Sequence, residues 1–148
     1  MTDQPPTIER LRKRAEFLIA AQAPSCARGA VVIQRLHQPA RSEPDRPDIG
    51  AGFTATKKIG GAVQRNRAKR RMREAARHLL PLHGELHHDY VFVARAGVTN
   101  RPWARLLDDV KTALISLAAG RADPPRAFRP NSSKRRPKPG PTPTPPAR

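Results

Sequence analysis

Between Lys57 and Arg77 the chain sets nine Lys or Arg residues against a single acid, Glu74, and no other stretch limits its fold as strongly. Placed on a helix at 100° per residue from about Ala62, the segment divides into two faces. Ala68, Met72, Ala75 and Leu79 share a narrow arc, with Ala76 and Leu80 at its margin. Asn66, Arg70, Arg73 and Arg77 line the opposite side, flanked by Arg67 and Lys69. Like charges three or four residues apart destabilise a helix, and Glu74 offsets only part of that repulsion. The helix therefore calls for an apolar layer under one face and a polyanion over the other. An ordinary solvated face would mix charge signs, and this one does not. Lys57, Lys58 and the Gly60-Gly61 pair precede it, where glycines let backbone N–H groups approach a phosphate at the helix N-terminus.

The remaining composition agrees. A chain of 148 residues and 16.4 kDa suffices for one domain with a modest core. Its formal net charge of +17 and pI of about 11.7 point to nucleic acid ahead of a membrane surface. No apolar run approaches the ~20 residues of a membrane helix, and the polar start has no signal-peptide core, so a cytoplasmic location is expected. Cys26, the single cysteine, excludes an internal disulfide and fits a reducing compartment. After Gly120 the last 28 residues carry nine of the 17 prolines and eight Lys or Arg. Prolines without apolar partners cannot offset ordering entropy, so a disordered basic tail is expected over 120–148. A flexible start is expected over 1–7, leaving a domain at 8–119.

Along the chain, Thr7 to about Gln22 predicts a helix, with Thr7 as N-cap, Pro24 as stop, and Ile8, Leu11, Ala15 and Leu18 on one face. Phe17 falls among Lys13, Arg10 and Arg14 on the wheel. It either packs on a neighbouring strand or stacks a single-stranded base. Ala30–His37 reads as a strand, with room for a further short one at 24–37, and Cys26 near a strand start. Residues 39–48 form a proline-rich loop, and Gly50–Lys57 a second strand feeding the basic helix. Pro81 should end that helix and Asp89–Arg95 should be the most hydrophobic strand. Asn100 should cap a last helix in which Trp103, Leu106, Leu107, Val110, Leu114 and Leu117 face the core. The strand–helix–strand unit from Ala51 to Arg95 implies a parallel pair joined by a crossover, right-handed by default.

No active site is legible. His83 and His87 flank Glu85, but H-G-E-L-H is not the H-E-x-x-H zinc arrangement. Cysteine pairs are missing, and Ser25, Ser42, Ser116, Ser132 and Ser133 sit in no nucleophile elbow or triad setting. Catalytic residues, metal ligands and a protein-bound cofactor are therefore not expected.

The run G-F-T-A-T-K-K-I-G-G-A-V-Q-R-N-R-A-K-R-R-M-R-E-A-A-R resembles the signature of the bacterial ribonuclease P protein subunit. Arg10 to Phe17 matches that family's R-L-x-K-R-x-x-F, and Asp89 to Arg95 its D-Y-V-x-x-A-R strand, so the likeness spans about Ile8 to Ala118. It implies a small α/β domain, an α+β sandwich. Three helices accompany a central, mainly antiparallel sheet with one parallel βαβ pair, whose crossover is left-handed against the default above. It also implies an RNA subunit that cuts precursor tRNA with Mg²⁺ to free the mature 5′ end. Carried over by position, Lys57, Lys58, Arg65, Asn66, Arg67, Lys69, Arg70 and Arg73 contact that ribozyme, and Lys13, Arg14 and Phe17 face the 5′ leader. Family members often place a second aromatic where this chain has Ala21, so Phe53 or Tyr90 is expected to help from the sheet. The alternatives are a structural RNA-binding protein of ribosomal type and a self-sufficient nuclease.

Overall fold

A computed structural model describes residues 6–122. The expected flexible start and proline-rich tail lie almost wholly outside the described residues. The elements run β1 (Ile8–Arg10), α1 (Arg14–Ala20), β2 (Ser25–Arg28), β3 (Val31–His37), β4 (Ile49–Thr54), α2 (Ala62–His83), β5 (His88–Ala94) and α3 (Trp103–Ala118). Short 3₁₀ turns cover Pro39–Ser42 and Lys57–Ile59.

The strands form one sheet in the order β1-β4-β5-β3-β2. The expected βαβ unit is β4-α2-β5, parallel, with Ile49 opposite His88 and Thr54 opposite Val93. β3 pairs antiparallel with both β5 and β2, the further strand for which the 24–37 region had room. β1 adds a second parallel pairing, to β4, so the sheet is evenly mixed rather than mainly antiparallel.

The helices take opposite sides. α2 and α3 pack together on one face, and α1 covers part of the other. Alternation along each strand assigns the residues. Ile33, Ile49, Ala51, Tyr90 and Phe92 enter the main core with Met72, Leu80, Leu106, Val110 and Leu114. Val91 faces the other way, into a smaller cluster with Leu11, Ala20 and Phe17. The predicted apolar stripe of α2 is buried as expected: Ala68, Met72, Ala75, Ala76, Leu79 and Leu80.

Three boundaries differ from expectation. The first helix begins at Arg14, because Thr7 does not cap it. Thr7 instead exchanges hydrogen bonds with Asp48, its backbone N–H donating to Oδ2 (3.1 Å) and its hydroxyl accepting from the Asp48 N–H (3.0 Å). That docks Ile8–Arg10 as an edge strand, and tertiary pairing overrides the local helical pattern. Of the four residues expected on one face, Leu11 is buried, while Ala15, Leu18 and Ile8 are exposed. Pro81 does not end α2 but lies in its last turn, which Gly84 closes by donating to the Leu80 carbonyl at 2.8 Å. Asn100 does not cap α3 either; Pro102 holds that position, with no side-chain cap. Trp103, expected in the core, is 37% exposed.

The start of α3 is held by arginines. Arg101 forks onto Asp109, with Nε to Oδ2 at 2.8 Å and Nη2 to Oδ1 at 3.0 Å. Asp109 also accepts the Ala30 N–H at 3.2 Å. Arg71 donates to the carbonyls of Val98 (2.6 Å) and Arg101, and its guanidinium lies 6.0 Å from the Trp103 ring centre. One cation of the basic segment thus ties α2 to the turn before α3. Burial, and next the neighbouring charge of Arg67, lower its pKa.

Candidate nucleic-acid interface

α2 separates its two tasks by angle. With the apolar stripe sunk against the sheet and α3, Asn66, Arg67, Arg70 and Arg73 stand exposed on the outer side, and Arg65 and Lys69 are half-buried beside them. Arg65 Nε is buried with no hydrogen-bond partner among the described residues. Lys57 and Lys58 are exposed on the 3₁₀ turn that leads to the helix. Gly60 has a φ of +139°, a conformation that L side chains rarely adopt, and Gly61 at the N-cap has nothing within 4 Å of where a Cβ would stand. All eight residues expected to meet the ribozyme therefore share one continuous segment. Glu74, its single acid, is occupied by Arg77 at 3.0 Å and His78 at 3.4 Å. Lys57, Lys58, Arg67, Arg70 and Arg73 face solvent with no counter-charge among the described residues, an arrangement that favours a polyanion.

A second surface lies on the opposite face of the sheet. Between α1 and strands β3, β4 and β5 is an open hollow of about 390 Å³, lined by Arg12, Arg14, Phe17, Gln34 and Val91, among others. Phe17 resolves both ways: it packs against the Leu11–Ala20–Val91 cluster and also lines the hollow. Gly52 makes that seat possible, since a Cβ there would stand 2.7 Å from ring Cε1. Aromatic and cationic groups on one concave surface suit a single strand, with bases on the ring and phosphates on the arginines.

The expected leader residues do not all converge there. Lys13 caps α1, where its backbone N–H donates to Glu16 at 3.2 Å, and it lines a separate hollow with Glu9, Arg10, Arg12 and Glu16. Phe53 reaches the edge of the α1 hollow, but its ring belongs to the other face and stacks on Phe92 at 5.2 Å. Tyr90 is 1% exposed, and its hydroxyl accepts the Glu85 N–H at 2.9 Å, so it is not available for stacking. Strand parity, legible from Gly52 and Phe53 being adjacent, would have separated these aromatics. Arg12 went unmarked, because a helix starting at Thr7 gave it no distinct direction.

A buried ion cluster braces this side. Arg41, from the proline-rich loop, is 2% exposed and bonds Asp89 at 2.5 Å, Glu9 at 2.9 Å and the Pro47 carbonyl at 3.1 Å. Burial pulls the guanidinium pKa down, but hydrogen bonds and charge from Asp89 and Glu9 outweigh it, and the net shift is upward. The cluster joins β1, β5 and the loop behind α1. The sequence marked that stretch only as a proline-rich loop.

Among the described residues, no group of three or more His, Cys, Asp or Glu is placed to hold a metal ion. No helix among them is long and apolar enough to cross a membrane.

Comparisons with known proteins give the family. The family model described as Ribonuclease P matches residues 6–118. A ribonuclease P protein component from Caulobacter vibrioides is 64% identical over 121 residues, covering 80% of this chain and 78% of its own. One from Ruegeria pomeroyi is 46% identical over 113 residues, covering 76% and 88%. In fold, the chain is similar to the RNase P protein of Thermotoga maritima, with a TM-score of 0.60 at 21% identity over 72% of this chain and 96% of the other. The Staphylococcus aureus RNase P protein gives a TM-score of 0.58 at 23% identity over 77% and 97%. With the family model matching almost the whole described domain and relatives of 46–64% identity, the chain belongs to the ribonuclease P protein family.

Proposed function

We propose that this chain works as the electrostatic and leader-holding subunit of ribonuclease P, while a partner RNA breaks the bond. Family membership already makes it the protein component of an endoribonuclease with an RNA partner. The finer reading assigns Lys57, Lys58, Arg65, Asn66, Arg67, Lys69, Arg70 and Arg73 to the catalytic RNA, and Arg14 and Phe17, with Arg12, to the 5′ leader of precursor tRNA. Mg²⁺ required for hydrolysis is held by the RNA in this reading.

The observation that carries it is the exposure of Arg67, Arg70 and Arg73 with no counter-charge among the described residues, while the apolar stripe of the same helix is buried. Two folded RNAs repel each other where they meet. Cations held there lower that repulsion, and their binding releases counterions, so affinity falls steeply with salt. A leader held by stacking and backbone charge is tolerated whatever its sequence. Mature tRNA lacks the leader, so the same contacts separate substrate from product.

Precursor-tRNA cleavage with and without the cognate catalytic RNA tests this. Expected is cleavage by the RNA, improved by the protein, and none by RNA-free protein. Cleavage by the protein alone would overturn the division of labour, and no effect on the ribozyme would favour a structural RNA-binding role.

A further inference from the structure

The α2 side of the sheet has a hollow of its own, of about 230 Å³, between the β1–β4 edge and the second half of α2. Ala51, Phe53 and Leu80 line it together with Arg10, Arg73 and Arg77. Among the described residues no acidic one lines it. The Phe53 ring is held in place by its stack on Phe92, with the planes 27° apart. Among the described residues Arg77 is engaged only by the exposed pair with Glu74, the kind of contact that contributes little and yields readily.

A fixed aromatic ring and three guanidinium groups lining one hollow do not suit an apolar peptide side chain, which would satisfy the ring and leave the cations unmatched. An unpaired nucleotide satisfies both, through a base that stacks and phosphates that pair with arginine. We propose that this hollow receives one unpaired nucleotide of the catalytic RNA, its base over Phe53 and its flanking phosphates on Arg10, Arg73 and Arg77. The proposal rests on the assembly with that RNA described above. The source is the catalytic RNA rather than the leader because Arg73 and Arg77 continue the row begun by Asn66 and Arg70. The Phe17 hollow, by contrast, opens on the far side of the sheet.

Full-length protein is tested for equilibrium binding to the cognate catalytic RNA. The assembled holoenzyme is then tested for its preference between leader-bearing and leaderless tRNA. Phe53→Leu keeps the apolar volume and removes the ring face; it should weaken binding to the catalytic RNA about tenfold, within the range of one lost base stack. Leader preference should be unchanged, and Phe53→Tyr should bind as wild type. Arg10→Gln, at an exposed sheet edge outside the α2 row, should weaken binding about threefold, while Arg121→Gln makes the same charge change without effect. Wild-type affinity of Phe53→Leu would overturn the proposal, as would loss of leader preference with catalytic-RNA affinity intact. If melting shows that the leucine variant does not fold, Arg10→Gln decides, and wild-type affinity there overturns the proposal. Wild-type protein that does not bind the catalytic RNA would overturn the assembly itself, and this site with it.

Discussion

The ring of Phe17 lies over the bare Cα of Gly52, so close that a β-carbon at position 52 would meet ring Cε1 at 2.7 Å and Cζ at 2.8 Å. These are the far atoms of a rotatable side chain, so Gly52→Ala should swing the ring away and leave the sheet intact. Affinity of the holoenzyme for leader-bearing precursor should fall about fivefold, as for a weakened base stack, with mature tRNA unaffected. Binding assays on both RNAs check this. An equal loss on both would show that the ring has no part in leader recognition.

Arg67 and Arg70 are exposed on the outer side of α2 and take no part in its core contacts. Reversing both to Glu should cost affinity for the catalytic RNA and flatten its salt dependence. With ~0.7 to 0.9 in slope per phosphate contact, the plot of log K against log salt should lose about 1.5. The same reversal at Arg121, just beyond α3, should leave the slope unchanged. Filter binding across a salt series distinguishes the two.

Arg41 and Asp89 are both buried, with side chains 1% and 3% exposed. Arg41→Met strands the Asp89 carboxylate without its cation and should destabilise the domain by about 3–5 kcal/mol, the usual cost of breaking a buried pair from one side. Adding Asp89→Leu should recover much of that loss, because the uncompensated charge goes with it. Denaturant unfolding of the two variants measures the difference. A double variant no more stable than the single would place the importance of Arg41 in its contacts with Glu9 and Pro47.

What could be read from the sequence followed from how far each determinant lies along the chain. α2 declared both of its faces because its apolar and basic residues repeat locally at the helical period. α3 declared its core face for the same reason, Trp103 excepted. β1 was hidden, since three residues that scan as helix become a strand only through Asp48, some 40 positions on. Arg41 was hidden likewise, because nothing near it in the chain announces Asp89. At Phe17 the sequence left packing and stacking open, and the fold gives the ring a seat in a small core and a place on a hollow. The expectation that Phe53 or Tyr90 would assist Phe17 overlooked the alternation that buries Tyr90 on the other face and leaves Phe53 only at the edge of the hollow.

That alternation has a consequence for how this family member can change. In β4, Gly50 and Gly52 lie toward α1 and its hollow, while Ile49, Ala51 and Phe53 face α2. A single-residue insertion or deletion in the strand would exchange the two sets at a stroke, driving a phenylalanine into the seat of Phe17 and a glycine under the arginines. Drift in the length of this strand is therefore confined to steps of two, and a six-residue segment keeps the protein's two sides in fixed correspondence.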